Sequence, residues 1–312
     1  MKFYVAPVQG HTDAAWRHFH HLIYGGDLKY FTPFMRCEHG EIRPKDLRDF
    51  TNDLNTGIDL EPQVIFSNVE ELETLLKPLV GAGVKAVNLN MGCPFPLQTR
   101  KGRGAAFINN LSEGEKLPGL LANYPDVKFS VKMRLGMEDP DEWKGMMNVF
   151  NSFELDNIYV HPRIARQQYK GDLHLDSFAQ ILSMSKNPVV FNGDITVPEA
   201  VDSIISAFRD INGIMIARGI LGRPSLVSEI VDGCWPLERR LETMLKFHNE
   251  LFRYYKETLC GDSQILSKIK PFWEYSENEI GRKAWKAIKK ASNLAKYNSV
   301  LNLISNTIPT PS

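Results

Sequence analysis

The sequence predicts an α/β fold, a (β/α)8 TIM barrel followed by a small C-terminal all-α helical bundle. Three observations carry this. Short apolar runs alternate with amphipathic stretches up to about Pro236, polar residues cluster just past the ends of the apolar runs, and the composition then changes. The expected division is a barrel over 1–235 and a helical unit over 236–312.

The eight candidate strands cover 3–6, 29–33, 62–66, 86–90, 128–133, 157–160, 189–191 and 213–217. Candidate helices between them cover 13–23, 69–80, 141–153, 175–184, 197–208 and 221–231. An open doubly wound sheet would not need eight strands before the composition shifts.

The chain has 312 residues, 43% apolar and 24% charged, enough for one barrel of about 250 residues with an appendage. Formal net charge is zero, but the last 77 residues hold 13 Lys and Arg against 8 Asp and Glu, and the rest hold 24 against 29. That asymmetry hints at a polyanion partner for the C-terminal part. The four cysteines, Cys37, Cys93, Cys234 and Cys260, have neither zinc-knuckle nor redox-pair spacing. No signal peptide or transmembrane run is expected, so a reduced, cytoplasmic protein is.

Taken in order, the strand ends carry the chemistry. The first is followed by Pro7-Val8-Gln9-Gly10, and the third contains Gln63. The fourth runs Val87-Asn88-Leu89-Asn90 into Met91-Gly92-Cys93-Pro94, where glycine and proline force the chain out of the strand. Cys93 then stands where barrel chemistry sits. Beyond it, Arg100, Lys101 and Arg103 with Gly102 and Gly104 read as a mobile cationic loop able to approach an anion. A buried cysteine is often only a small apolar filler, so the other strand ends weigh in.

The fifth strand presents Lys132 and Arg134, and the sixth His161 and Arg163. A lysine within an apolar strand needs a partner, either a barrel carboxylate or an electron-rich ligand. A lone histidine is more often a satisfied core residue. The last two strands end in Asn192-Gly193-Asp194 and Ala217-Arg218-Gly219. Barrels commonly bind phosphate at this place, and the two segments together favour a phosphate-bearing ligand over plain turns. In the C-terminal part, Arg282, Lys283, Lys286, Lys289 and Lys290 fall on one helical arc opposite Ala284, Ile288 and Ala291.

On these residues the chain resembles a tRNA-dihydrouridine synthase of the bacterial type, nearest the C type in length and motifs. The matching segments run from Ala6-Pro7-Val8-Gln9-Gly10, with Thr12-Asp13, through Pro62-Gln63 and Asn88 to Pro94. They continue through Val131-Lys132-Met133-Arg134-Leu135-Gly136, Val160-His161-Pro162-Arg163, Gln168-Tyr169, Asn192-Gly193-Asp194-Ile195 and Ala217-Arg218-Gly219. Two departures stand out: Val8-Gln9 where the family more often has Met or similar with Glu, and Pro162 where it usually has Gly.

The resemblance implies an FMN-containing barrel that reduces the C5–C6 double bond of a D-loop uridine in tRNA with NADPH. It implies Cys93 as general acid. Pro7, Val8, Gln9, Gln63, Lys132, His161, Asn192, Gly193, Asp194, Ala217 and Arg218 would hold the flavin. Asn90, Arg134 and Tyr169 would meet the uracil, with Arg100, Lys101 and Arg103 on the tRNA backbone. No metal, membrane or protein partner is implied. The alternative is an FMN-dependent barrel oxidoreductase acting on a small-molecule enone or pyrimidine; an RNA-binding barrel without redox chemistry is a third reading.

Overall fold

The computed structural model describes residues 1–306. Eight parallel barrel strands occur in the predicted order. The first is Phe3–Val5, the fourth Ala86–Met91, the fifth Lys128–Arg134, the sixth Ile158–His161, the seventh Val189–Asn192 and the eighth Gly213–Ile216. The second and third are each split in two, into Leu28–Phe31 with Met35–Glu38 and Leu60–Glu61 with Gln63–Ile65. Pro62 interrupts the third because it has no N–H to give the ladder, while its carbonyl accepts from Asn88 N at 2.9 Å.

Pairing closes the ring. Phe3 faces Ile214 of the eighth strand on one side and Leu28 of the second on the other. The two halves of the second strand pair with the two halves of the third (Tyr30↔Leu60, Met35↔Val64). Each barrel strand thus has a neighbour on both sides, which is how a barrel removes the aggregation hazard of a sheet edge.

Strand parity decides what enters the barrel. Val87, Leu89 and Met91 point outward into the main core with the surrounding helices, so Asn88 and Asn90 point inward. The interior is two-sided. A small apolar cluster of Tyr4, Ala6, Phe31, Tyr159, Val190 and Met215 comes from the first, second, sixth, seventh and eighth strands. Glu61, Gln63, Asn88, Asn90 and Ser130, all buried, come from the third, fourth and fifth.

Four helices match expectation closely: Ala14–Tyr24, Val69–Gly81, Leu175–Met184 and Pro198–Ala207. The stretch 221–231 does not form one helix. It is Arg218–Gly222 and Leu226–Asp232, broken at Pro224, whose missing N–H cannot continue the ladder. The expected 141–153 helix shortens to Trp143–Phe150, because the Glu142 carboxylate folds back to accept the N–H groups of Met137, Glu138 and Asp139. Sequence reading missed the helix Pro44–Phe50 and the hairpin that pairs Met35–Glu38 with Glu41–Ile42.

After Pro236 the chain is helical: Leu237–Thr258, Asp262–Ile269, Glu277–Lys290 and Leu294–Ser305, the third being two helical pieces that meet at a kink at Gly281 (φ +79°). The longest crosses Ala14–Tyr24, with Trp16 edge-on to Phe247 at 5.6 Å and Phe19 to Tyr254 at 6.2 Å. Asp13 joins the two parts. Its carboxylate caps the first helix through Trp16 N (3.1 Å), takes Lys268 Nζ (2.8 Å) and accepts from Tyr255 Oη (3.2 Å).

Candidate active site

A cavity of about 730 Å³ opens at the C-terminal ends of the strands. Its walls include fifteen of the eighteen residues singled out in the sequence: Pro7, Val8, Gln9, Gln63, Asn90, Cys93, Lys132, Arg134, His161, Tyr169, Asn192, Gly193, Asp194, Ala217 and Arg218. They come from every strand end except the second. The three outside it are Arg100, Lys101 and Arg103.

The loop that carries Cys93 is pinned, contrary to the mobile loop its glycines suggested. Cys93 N–H donates to Asn90 Oδ1 at 2.9 Å, and Cys93 C=O accepts from Ala105 N at 3.1 Å. Pro96–Thr99 forms a helical turn. Gly104 sits at φ +63°, and a Cβ there would lie 2.6 Å from the Cys93 carbonyl oxygen, so only glycine lets the loop return this close. Arg103 does not face solvent for a polyanion. Its guanidinium forks onto Glu71 and reaches Cys37 O at 3.4 Å, because a half-buried cation takes the nearest buried carboxylate. Arg100 and Lys101 remain exposed.

The electrostatics of the cavity follow from burial and an excess of cations. Lys132, Arg134 and Arg218 line it against one carboxylate, Asp194, among the described residues. Burial pushes the Cys93 thiol up, with only partial opposition from the Phe95 backbone, Arg134 and Lys132, so the sulfur keeps its proton at neutral pH. Burial, with a smaller contribution from neighbouring Arg134, pulls Lys132 down to about 7, and no carboxylate pairs with it among the described residues. Arg134 is anchored by Ile164 O at 3.0 Å, and burial lowers it to about 10, which leaves it charged.

His161 is neutral: burial lowers its pKa well below the ordinary value, and Arg134, Lys132, Arg163 and Arg218 reinforce this. Its Nε2 lies 3.2 Å from an Arg163 amino group, which can only donate, so the imidazole proton sits on Nδ1. Pro162 fits the turn, because Arg163 N donates to His161 O at 2.7 Å across it, the i to i+2 closure that proline's fixed φ suits.

At the far wall Asp194 stands at φ +44° and is held by two arginines, Arg163 through a bidentate pair and Arg218 at 2.8 Å. The Arg163 hydrogen bond holds the Asp194 carboxyl below the usual carboxylate range. The carboxylate is therefore a clamp on the arginines; an anion would be met by Arg218 and by backbone N–H groups of this rim. The loops after the seventh and eighth strands touch at Gly219, where a Cβ would come within 1.9 Å of Ile195 O. Arg134 and Arg218 both approach the half-exposed Tyr169 ring, at 5.2 and 4.8 Å.

Residues in and beside the cavity that were not assigned from sequence include Arg163, Phe95, His11 and Tyr275. Arg163 was visible at its strand end, but its role appears only with Asp194, 31 positions away. Exposed Phe95 lines the mouth. His11 and Tyr275 line it together, rings 5.4 Å apart, and Tyr275 arrives from the C-terminal helices, for which no local signal exists. Beyond the kink at Gly281, the helical piece up to Lys290 exposes Arg282, Lys283, Lys286, Lys289 and Lys290 and buries Ile288, as its periodicity predicts.

The sequence model of a protein family described as dihydrouridine synthase matches residues 4–307. A probable tRNA-dihydrouridine synthase of Staphylococcus epidermidis is 27% identical over 270 residues, covering 81% of this chain and 78% of its own. The tRNA-dihydrouridine synthase B of Shewanella oneidensis is 28% identical over 230 residues, covering 72% and 70%. Among solved structures, morphinone reductase in complex with tetrahydroNAD aligns at TM-score 0.52 and 8% identity, covering 75% of this chain and 88% of its own. The old yellow enzyme of Trypanosoma cruzi aligns at 0.52 and 10%, covering 75% and 89%. These structures share the barrel fold.

Proposed function

The chain belongs to the dihydrouridine synthase family, and on that premise we propose that it reduces the C5–C6 double bond of a D-loop uridine in tRNA, with FMN and NADPH. The observation that carries the proposal is a thiol kept protonated, Cys93, on the wall of a cation-rich cavity that also holds Lys132, a lysine with no carboxylate partner among the described residues. The cavity residues fit a flavin phosphate: a lysine without a carboxylate suits an electron-rich ring edge, and a rim of glycine and arginine suits a phosphate. FMN, when held there, would supply hydride chemistry for one carbon of the uracil double bond, with NADPH as the reductant.

This chain's own residues do the rest. Gln63 and Lys132 address the ring edge, and Lys132 gains its proton there as negative charge develops. His161 offers Nδ1–H, and the segments Asn192–Asp194 and Ala217–Arg218 hold the phosphate side. Pro7, Val8 and Gln9 contribute backbone along the first strand end. Asn90, Arg134 and Tyr169 orient the uracil, and Cys93 gives its proton to the carbon beside the one that accepts hydride. A base reaches this depth only when turned out of the tRNA stack, so exposed cations must grip the backbone around it. Arg100, Lys101 and the C-terminal arc of Arg282, Lys283, Lys286, Lys289 and Lys290 are the residues suited to that, in the cytoplasm where tRNA is.

The test is to incubate the purified, flavin-loaded protein with NADPH and tRNA from a strain lacking it, and to map dihydrouridine by mass spectrometry. One D-loop position gaining two mass units is the expected result, and its identity tests the C-type reading, which rests on length and motifs. Reduction of free enones or pyrimidines with tRNA left unmodified would instead support the small-molecule reading.

A further inference from the structure

The polar half of the barrel interior is one unbroken hydrogen-bond chain. Lys29 Nζ lies 3.2 Å from Glu61 Oε2. Ser130 Oγ donates to Glu61 Oε1 at 2.5 Å, and Asn88 Nδ2 donates to Ser130 Oγ at 2.6 Å. Gln63 Nε2 donates to Asn88 Oδ1 at 2.7 Å, and Asn90 Nδ2 to Gln63 Oε1 at 2.7 Å. Asn90 Oδ1 then accepts the backbone N–H groups of Gly92 (3.1 Å) and Cys93 (2.9 Å). Glu61, Ser130, Asn88 and Gln63 are at most 2% exposed.

Each link fixes the direction of the next. Burial raises the Glu61 carboxyl above its ordinary range, but Lys29 and Ser130 oppose this; ionised beside Lys29 it only accepts, so the single Ser130 proton is spent on it and the Ser130 lone pair must face the Asn88 amino group. That leaves Asn88 Oδ1 for Gln63 Nε2, Gln63 Oε1 for Asn90 Nδ2, and Asn90 Oδ1 for the two loop N–H groups. If the chain ran the other way, the Asn90 amino group would face two N–H donors, a buried arrangement with no acceptor. Apolar residues fill the opposite half of the interior, so packing alone does not require five polar side chains here.

We propose that Glu61, anchored by Lys29, is a positioning residue that acts through Ser130 and Asn88 to fix which face the amides of Gln63 and Asn90 present to the cavity and where the Cys93 loop sits. The sense of this assignment rests on the hydrogen-bond geometry and on Glu61 being ionised beside Lys29; its consequence for turnover rests on the proposed function. Glu61→Gln reverses the chain. The new side-chain amide would accept from Lys29 through its oxygen and donate to Ser130 through its nitrogen. The Ser130 proton would then turn to residue 88, and every amide above it would have to flip. Adding Asn88→Asp moves the carboxylate up two links and restores the original sense from residue 88 onward. Gln63 Nε2 again has an acceptor.

The readout is hydrogen exchange at the Cys93 amide in the full-length protein, followed on the peptide that contains it, together with tRNA reduction. Glu61→Gln is expected to speed exchange at Cys93 by about tenfold, the equivalent of one ordinary hydrogen bond, and to lower tRNA turnover. The double variant Glu61→Gln/Asn88→Asp is expected to restore both. Ser130→Ala, a smaller change that cuts the chain in the middle, should also speed exchange at Cys93 and is the fallback should Glu61→Gln not fold. The proposal is overturned if Cys93 protection is unchanged in Glu61→Gln or Ser130→Ala, or if the double variant is as perturbed as Glu61→Gln. Exchange that follows the expected pattern in a protein inactive on tRNA would uphold the chain and sink the proposed substrate instead.

Discussion

On the proposed function, Lys132 is a residue at which burial and ligand binding pull against each other. Burial brings its pKa down to about 7, so its proton is loosely held near neutral pH. An electron-rich ring edge against Nζ raises its pKa again. Above pH about 7, binding must then take up a proton and weakens as pH rises; below it, the lysine is already charged and the dependence flattens. Titration of flavin-free protein with FMN at several pH values should show this fall, at most about tenfold per pH unit. Lys132→Met should abolish it, and an unchanged slope in that variant would remove the lysine from the flavin edge. Lys132 was legible in the sequence because a cation within an apolar strand is rare. The tautomer of His161 was not legible, since it depends on Arg163 facing Nε2.

At the scale of elements, the strand ends were readable because period-two alternation sends every second residue inward and the barrel gathers those residues at one rim. Loop anchoring was not. The three cations after Cys93 look alike in sequence, yet Arg103 is tied to Glu71, which lies in the first turn of Val69–Gly81 and reads there as an ordinary N-terminal acid. The chain break at Pro224 was hidden by an apolar pattern that runs through it, with buried Glu229 collecting Arg223 Nε (2.8 Å) and Ser225 Oγ (2.6 Å). Gly104→Ala tests the anchoring. Its φ of +63° and the contact with Cys93 O predict a stability loss of about 1–3 kcal/mol and a fall in turnover; a variant with wild-type Tm and activity would show that the loop does not need this approach. On the helix Glu277–Lys290, reversing Lys286 and Lys290 to Glu should weaken tRNA binding and flatten its dependence on salt. Unchanged binding would take that helix out of the interface.

Across the whole molecule, barrel and C-terminal helices share one hydrophobic core and one cavity. Asp13, Lys268 and Tyr255 stitch the seam, and Tyr275 with His11 closes the mouth beside Glu274, which lies 3.3 Å from His11 Nε2. The charge asymmetry singles out the C-terminal part of the chain, but which helices form the wall of the cavity depends on packing that no local pattern encodes. No described helix is long and apolar enough to cross a membrane. On the proposed function, Cys93 is the group that protonates the substrate, while the flavin side of the cavity would work without it. Following the two half-reactions of flavin-loaded Cys93→Ala anaerobically is the most direct test. NADPH should bleach the flavin at the wild-type rate, and tRNA should then restore its colour some 10²- to 10⁴-fold more slowly than in the wild type. Reoxidation by tRNA at the wild-type rate would rule out Cys93 as the proton donor.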